Sequence, residues 1–300
     1  MAKSKSFFGL RRGSTKSLTF SVLNGQQVTK DRVYGGKNPR SMAQMIQRMC
    51  MATSSAAYAQ MKQIVDHSFE GVSYGANTMA KFLSVNTKAL KDAYAAGNEN
   101  FAFNPYGDRG LKVGAYIMSR GTASALPASA GSLVKAAHVV TGSISSGKQE
   151  TIGVKDILAA FGLNVGELAT FCFMYAKDGS NDNWGFGFIR VTALATTTNM
   201  VTPTQLQDYV KFESNIGTVT VERANGEGTL TFSVTLSDDA SELNDLAQCL
   251  IHSVQSNGAW LRSNAALDVP QTIDVQPSAA DALATYPVGE SYVLNGGEIE

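Results

Sequence analysis

Several short stretches of the 300-residue chain carry residue types whose spacing could do chemistry. Gly142 to Gln149 approaches a phosphate-binding loop, with Gly142, Gly147 and Lys148 in place. That motif needs a hydroxyl after the lysine to hold magnesium, and Gln149 stands there instead. The expected helix also begins only near Val154, so a surface turn is the reading. Trp184 to Val191 contains Gly-Phe-Gly-Phe-Ile, the heart of an RNA-recognition strand whose exposed aromatics stack bases. Trp184 replaces its leading Lys or Arg, Val191 replaces its trailing aromatic, and 133–144 supplies no companion aromatic strand. Phe186 and Phe188 lie two apart and share one face, which suits a core; base stacking by Trp184, Phe186 and Phe188 is the alternative.

Asp178, Ser180 and Asp182 are spaced as the opening of a calcium loop. Asn183 replaces its sixth-position glycine and Ile189 its twelfth-position glutamate, which leaves a hairpin turn. His67, His138 and His252 are far apart and none sits at metal-ligand spacing, so each is read as structural. Cys50, Cys172 and Cys249 lie among apolar neighbours and are read as reduced core residues. The chain has no Gly-x-Ser-x-Gly elbow, no His-Glu-x-x-His and no Cys-x-x-Cys. The expectation is a non-enzymatic protein with no catalytic residue, cofactor or metal; a carboxylate pair that meets only in space stays open.

Charge layout is the stronger signal. Net charge is zero, yet residues 1–49 hold ten basic side chains against one acid, Asp31. Residues 201–300 hold three, Lys211, Arg223 and Arg262, against fourteen acids. A basic segment attracts phosphates through counterion release, and it can equally seek the acidic end of another copy. The candidate contact residues for DNA, RNA or a neighbouring subunit are Lys3, Lys5, Arg11, Arg12, Lys16, Lys30 and Arg32. Arg40, Gln44, Gln47 and Arg48 join them as long polar side chains at helical spacing. A solvated terminus that binds nothing is the bland alternative.

The elements that must position these residues follow from periodicity. Leu18 to Leu23 alternates, Asn24-Gly25 suits a type I′ turn, and Gln26 to Val33 returns as a hairpin. Asn38 and Pro39 can open a helix whose stripe is Met42, Met45, Ile46, Met49, Met61, Ile64 and Val65. A second helix spans about 77–96, with Met79, Phe82, Leu83, Leu90 and Tyr94 inward, and a loop rich in Asn and Gly follows. Strands are expected at 111–118, 133–144, 168–177, 184–195, 216–224, 228–236, 247–255 and 259–267, interrupted by a short helix at 154–161. The stretch 241–253 can also be drawn as a helix. Asn225-Gly226 and Asn257-Gly258 mark further hairpins.

The expected fold is therefore α+β: an N-terminal β-hairpin arm (1–37), a helical segment (38–108), a larger antiparallel β region of sandwich or barrel type (109–270), and an acidic extended tail (271–300). The start is basic without the apolar stretch of a signal peptide, and no run approaches a membrane span, so synthesis in the cytoplasm is expected.

The segment Asn38-Pro39-Arg40, Gln44 and Gln47-Arg48, following a basic hairpin, resembles the signature of an uncharacterised family with a domain of unknown function. Its members occur in gut anaerobic bacteria and their phages. Trp260 to Ser263 and Tyr292 to Gly297 resemble endings in the same group. The resemblance implies a phage setting and hence a virion component. Three functions are open: a coat or coat-associated subunit that self-associates through the arm, a nucleic-acid-binding protein using the arm and the aromatic strand, and an adhesin-like β domain.

Overall fold

The computed structural model describes residues 2–4, 13–14, 18–23, 26–31, 40–97, 100–127, 142–145, 152–177, 184–223, 229–236 and 246–289. The chain divides into two compact units, Met1–Ser41 with Gly289–Glu300, and Met42–Val288.

In the first unit, β1 (Ala2–Ser4), β2 (Gly13–Ser14), β3 (Leu18–Leu23) and β4 (Gln26–Asp31) form an antiparallel sheet in the order β1-β4-β3-β2. The β3–β4 hairpin has the register that its alternation requires, Leu23 opposite Gln26. The hairpin is extended by a further strand on each side. β1 runs along β4 with Lys3 opposite Val28, and β2 runs along β3 with Gly13 opposite Phe20. A two-stranded hairpin is marginal in water, and flanking strands satisfy the backbone groups of both its edges.

The second unit opens with α1 (Met42–Val65) and α2 (Ala76–Ala96), followed by β5 (Ile117–Ser119), β6 (Gly142–Ser145) and β7 (Ile152–Gly153). Then come α3 (Val154–Phe161), β8 (Leu168–Ala176), β9 (Trp184–Ala193), β10 (Met200–Val201), α4 (Pro203–Leu206) and β11 (Val210–Ser214). The chain continues through β12 (Gly217–Arg223), β13 (Thr229–Leu236), β14 (Leu246–Ser256), β15 (Ala259–Arg262), β16 (Ala265–Ala266) and α5 (Ala279–Ala284). The class is α+β, as the pattern requires, with helices and the larger antiparallel region joined in this one unit.

Its centre is a five-stranded antiparallel sheet, β11-β9-β8-β14-β15. Side chains alternate across a strand, so each face is a separate surface. One face carries Cys172 and Met174 of β8 and Trp184, Phe186 and Phe188 of β9, and shares a core with Met45, Met49, Met61, Phe82 and Leu90 of α1 and α2. The other carries Phe171, Phe173, Ile189 and Val191, in a core with Val154, Ile157 and Phe161 of α3. The glycines of β9 belong to this second face. Gly187 lies opposite Phe173 and Gly185 opposite Tyr175, and both aromatic rings occupy the space that a β-carbon would need. Gly-Phe-Gly-Phe is thus a packing pattern, with Phe186 and Phe188 each only 7% exposed.

α1 and α2 approach closely through small residues; the hydroxyls of Ser54 and Thr87 meet at 2.9 Å. Asn86 of α2, fully buried, accepts from the Ile117 N–H at 2.8 Å and donates to the Ile117 carbonyl at 3.1 Å, fixing β5 against the helix. Gly97 and Gly162 end α2 and α3 in the left-handed conformation. Asn257 and Gly258, both at positive φ, form the expected turn between β14 and β15.

Three expectations are corrected. Met42 and Met79, expected inward, are exposed at the rims of their helices. Of the strand expected at 111–118 only 117–118 lies in a strand, β5, while Gly114 makes an isolated bridge to Phe101. The strand expected at 247–255 is present within β14, and the alternative helix is not formed over 246–253. The extended tail is instead packed as far as 288: Ile273, Ala282, Leu283 and Tyr286 are buried, and Ser278 caps α5 by accepting from the Asp281 N–H at 3.2 Å. The Asn225-Gly226 turn, the 133–141 part of one strand and residues 290–300 lie outside the described residues.

Replacing Gly187 with alanine drives a methyl into the Phe173 ring and to 2.9 Å from Ile216 Cγ2. Such overpacking costs roughly 1–3 kcal/mol. Urea unfolding of Gly187→Ala is therefore expected to show a lower midpoint with an unchanged slope; an unchanged midpoint would refute the packing role.

Candidate functional site

The helix-covered face of the central sheet changes character along its length. On β9 the stripe Trp184, Phe186, Phe188 continues as Arg190 and Thr192. Register extends this switch across the sheet. One row runs Glu213–Arg190–Thr170–Ile251, and the next runs Lys211–Thr192–Leu168–Ser253–Arg262. Helix α1 ends at Val65, so these rows extend past its last turn. Between them and Ile64, His67 and Ser68 lies a half-open cleft of about 330 Å³, with Trp260 at its side.

Two guanidiniums dominate it. Arg190 donates to Glu213 at 3.1 Å and sits 5.5 Å from the Phe188 ring centre, while its Nε is buried without a partner. Glu213 also pairs with Lys211 at 2.6 Å, and that bond, with Arg190 outweighing burial, holds its carboxyl below the usual range. Arg262 is 8% exposed and stacks 4.9 Å from the Trp260 ring centre. It forms no ion pair with any described carboxylate. Burial brings its pKa down to about 10; the like charge of Arg190 adds to this and Glu70 opposes it. Glu70 is committed elsewhere, accepting from the backbone N–H groups of Thr122 at 2.8 Å and Arg262 at 3.1 Å. The site thus offers guanidinium donors and a stacking surface, a chemistry of oxyanion binding. Arg190 and Arg262 were missed as site residues, although the break of the β9 stripe at Arg190 was a visible signal.

The residues that sequence reasoning did select fall apart in space or lie beyond description. Lys3 and Lys30 are in β1 and β4, and Lys30 is exposed. Lys5, Arg11, Arg12, Lys16 and Arg32 lie outside the described residues, as do Asn38 and Pro39. The strip Arg40, Gln44, Gln47 and Arg48 is corrected. α1 starts at Met42, so Arg40 precedes the helix, and its carbonyl accepts from the Gly289 N–H at 3.1 Å. Gln47 borders a groove with Leu83 and Lys88, Arg48 another with Tyr106 and Tyr286, and the Gln44 Oε1 is buried unpartnered. Gly142–Ser145 is a strand, unlike the opening of a phosphate loop. Asp178, Ser180, Asp182, Lys148 and His138 lie outside the described residues. Trp184, Phe186 and Phe188 are buried and cannot stack bases without opening the core.

Two other clusters resemble chemistry and are structural in their contacts. His252 Nδ1 lies 2.8 Å from the Ser124 carbonyl and Nε2 lies 3.2 Å from Glu167, so both ring nitrogens are occupied. Cys172 and Cys249, distant in sequence, face each other across β8 and β14; burial and the neighbouring thiol push Cys172 well above the ordinary thiol range. Among the described residues no group of three or more His, Cys, Asp or Glu could hold a metal ion, and no helix is long and apolar enough to cross a membrane.

Burial alone would raise the Glu167 carboxyl, but hydrogen bonds from Asn164 and His252 outweigh it and lower the pKa from 4.5. A depressed folded-state pKa gives stability that is present above the unfolded value and lost as pH falls through the folded one. Glu167→Gln is expected to cost about 1–3 kcal/mol at neutral pH. In thermal melts the gap to the wild type should narrow as pH drops below the usual glutamate value; a constant gap would exclude the ionised contact. Comparison of the chain with protein-family models, curated proteins and solved structures finds no match.

Proposed function

We propose that the protein is a non-enzymatic structural subunit of the coat or coat-associated type in a phage-like particle, whose copies associate head to tail. The observation that carries this reading is how charge divides between the two compact units. Met1–Ser41 with Gly289–Glu300 holds nine basic residues against four acids, a net +5. Met42–Val288 holds sixteen against twenty-one, a net −5. A basic unit and an acidic body on one chain favour a heterologous contact, in which the first unit of one copy meets the body of the next. The outermost strands of the first unit, β1 and β2, also offer backbone edges of the kind that pair with other chains. The resemblance at 38–48 supports the phage setting. The same positive unit favours a second reading, nucleic-acid binding through Lys3, Lys5, Arg11, Arg12, Lys16 and Lys30, now without the buried aromatics.

Light scattering on a sizing column should show oligomers at low salt that dissociate as ionic strength rises. Reversing Lys3, Lys5, Arg11, Arg12 and Lys16 to glutamate should abolish them, and electron microscopy should show rings, fibres or particles from the wild type alone. A monomer at every concentration, or oligomers indifferent to salt and to the reversals, would overturn the assembly reading. DNA and RNA titrations decide the second: affinity should fall log-linearly with salt, by a slope of about −0.7 to −0.9 for each phosphate contact.

A further inference from the structure

We propose that the cleft beside Trp260 binds a monocarboxylate with a compact apolar body, its carboxylate held by Arg262 and Arg190. This goes beyond the assembly reading and rests on different residues.

The first ground is an unsatisfied charge. Arg262 is more than nine-tenths buried, faces the cleft and has no described carboxylate within ion-pair distance. A buried charge without a counter-ion is costly, and a ligand anion supplies what the fold omits. Trp260 takes one face of the guanidinium, which leaves its in-plane N–H groups for a two-oxygen acceptor. Arg190 brings a second guanidinium to the same cleft, paired among the described residues with Glu213 alone.

The second ground is the charge count, which favours one negative charge over two. Arg190 is half-neutralised by Glu213, itself shared with Lys211, and Glu70 lies near Arg262. His67 lines the same cleft. Arg190, Arg262 and Lys211 against Glu213 and Glu70 leave one positive charge, which suits a carboxylate better than a phosphate dianion. The third ground is the wall. Ile64, Leu168 and Ile251 line the cleft beside the hydroxyls of Thr170 and Ser253, and Trp260, 41% exposed, flanks it. A half-open cleft of about 330 Å³ matches the size of a benzoate or of a single terminal residue.

The test uses the tryptophan emission of the full chain, which has two tryptophans, Trp184 in the core and Trp260 at the cleft. Benzoate and N-acetylleucine are expected to shift emission saturably, with dissociation constants on the order of 1 mM. Benzamide and N-acetylleucinamide, lacking the charge, should not. Arg262→Gln should weaken binding by about tenfold or more, and Trp260→Phe should remove the signal. Should Arg262→Gln fail to fold, the wild type still decides: the acids should raise its unfolding midpoint and the amides should not. Preference for N-acetylleucine would assign the ligand to a peptide C-terminus, and preference for benzoate to a free aromatic acid; either supports the site. No saturable change, equal response to the amides, or tighter binding of inorganic phosphate would overturn it.

Discussion

Everything in the larger unit depends on one sheet being buried on both faces at once. Over its first half, strand β9 meets that demand by giving its bulk to one side, while Ile189 and Val191 further along fill the other. Trp184, Phe186 and Phe188 fill the helix-facing core, and Gly185 and Gly187 leave the opposite side free for Tyr175 and Phe173 of β8. Burying such a side chain contributes about 1.5–3 kcal/mol, so this pair of strands holds two cores together with few residues. The glycines carry an entropic cost in a strand. They are tolerated because the facing rings replace the missing side chains.

The same alternation that builds the core also builds the cleft. An apolar stripe on a sheet face continues only as far as something covers it. α1 stops at Val65, the chain turns, and the next positions of β9 are Arg190 and Thr192. Because strand register is shared, the change from core to polar surface occurs in step on β11, β8, β14 and β15. The cleft is therefore a consequence of helix length against strand length. The guanidiniums sit where the two fail to match, beside an aromatic core that keeps water partly out.

What was legible in the chain and what was not divide along physical lines. Patterns closed within a few residues were readable: the β3–β4 alternation, the Asn257-Gly258 turn, and α3 between Gly153 and Gly162. Which residues of a helix stripe stay covered was not, because Met42 and Met79 depend on how far the neighbouring element extends. The Ser278–Asp281 cap was visible in principle but hidden among Pro, Gly and acidic residues that suggested an extended chain. The meeting of Cys172 with Cys249, and of Arg190 with Arg262, depends on strand order, which no local spacing encodes. Gly-Phe-Gly-Phe misled for a related reason: two aromatics on one face look alike whether that face meets bases or helices.

Two kinds of electrostatics coexist in this molecule, and salt separates them. Charges on exposed side chains such as Lys30 act across solvent. At physiological ionic strength they are screened over about 8 Å. An association that relies on a +5 unit and a −5 body must therefore weaken as salt rises. Arg262 is different. Its guanidinium is already desolvated and stacked on Trp260, so an anion reaching it enters a poorly screened environment and also gains from directed hydrogen bonds. Carboxylate binding there should therefore depend less on salt than the proposed association of copies does. Long-range charge would then bring copies together, and the short-range, half-buried cleft would select a ligand by shape and by a single carboxylate.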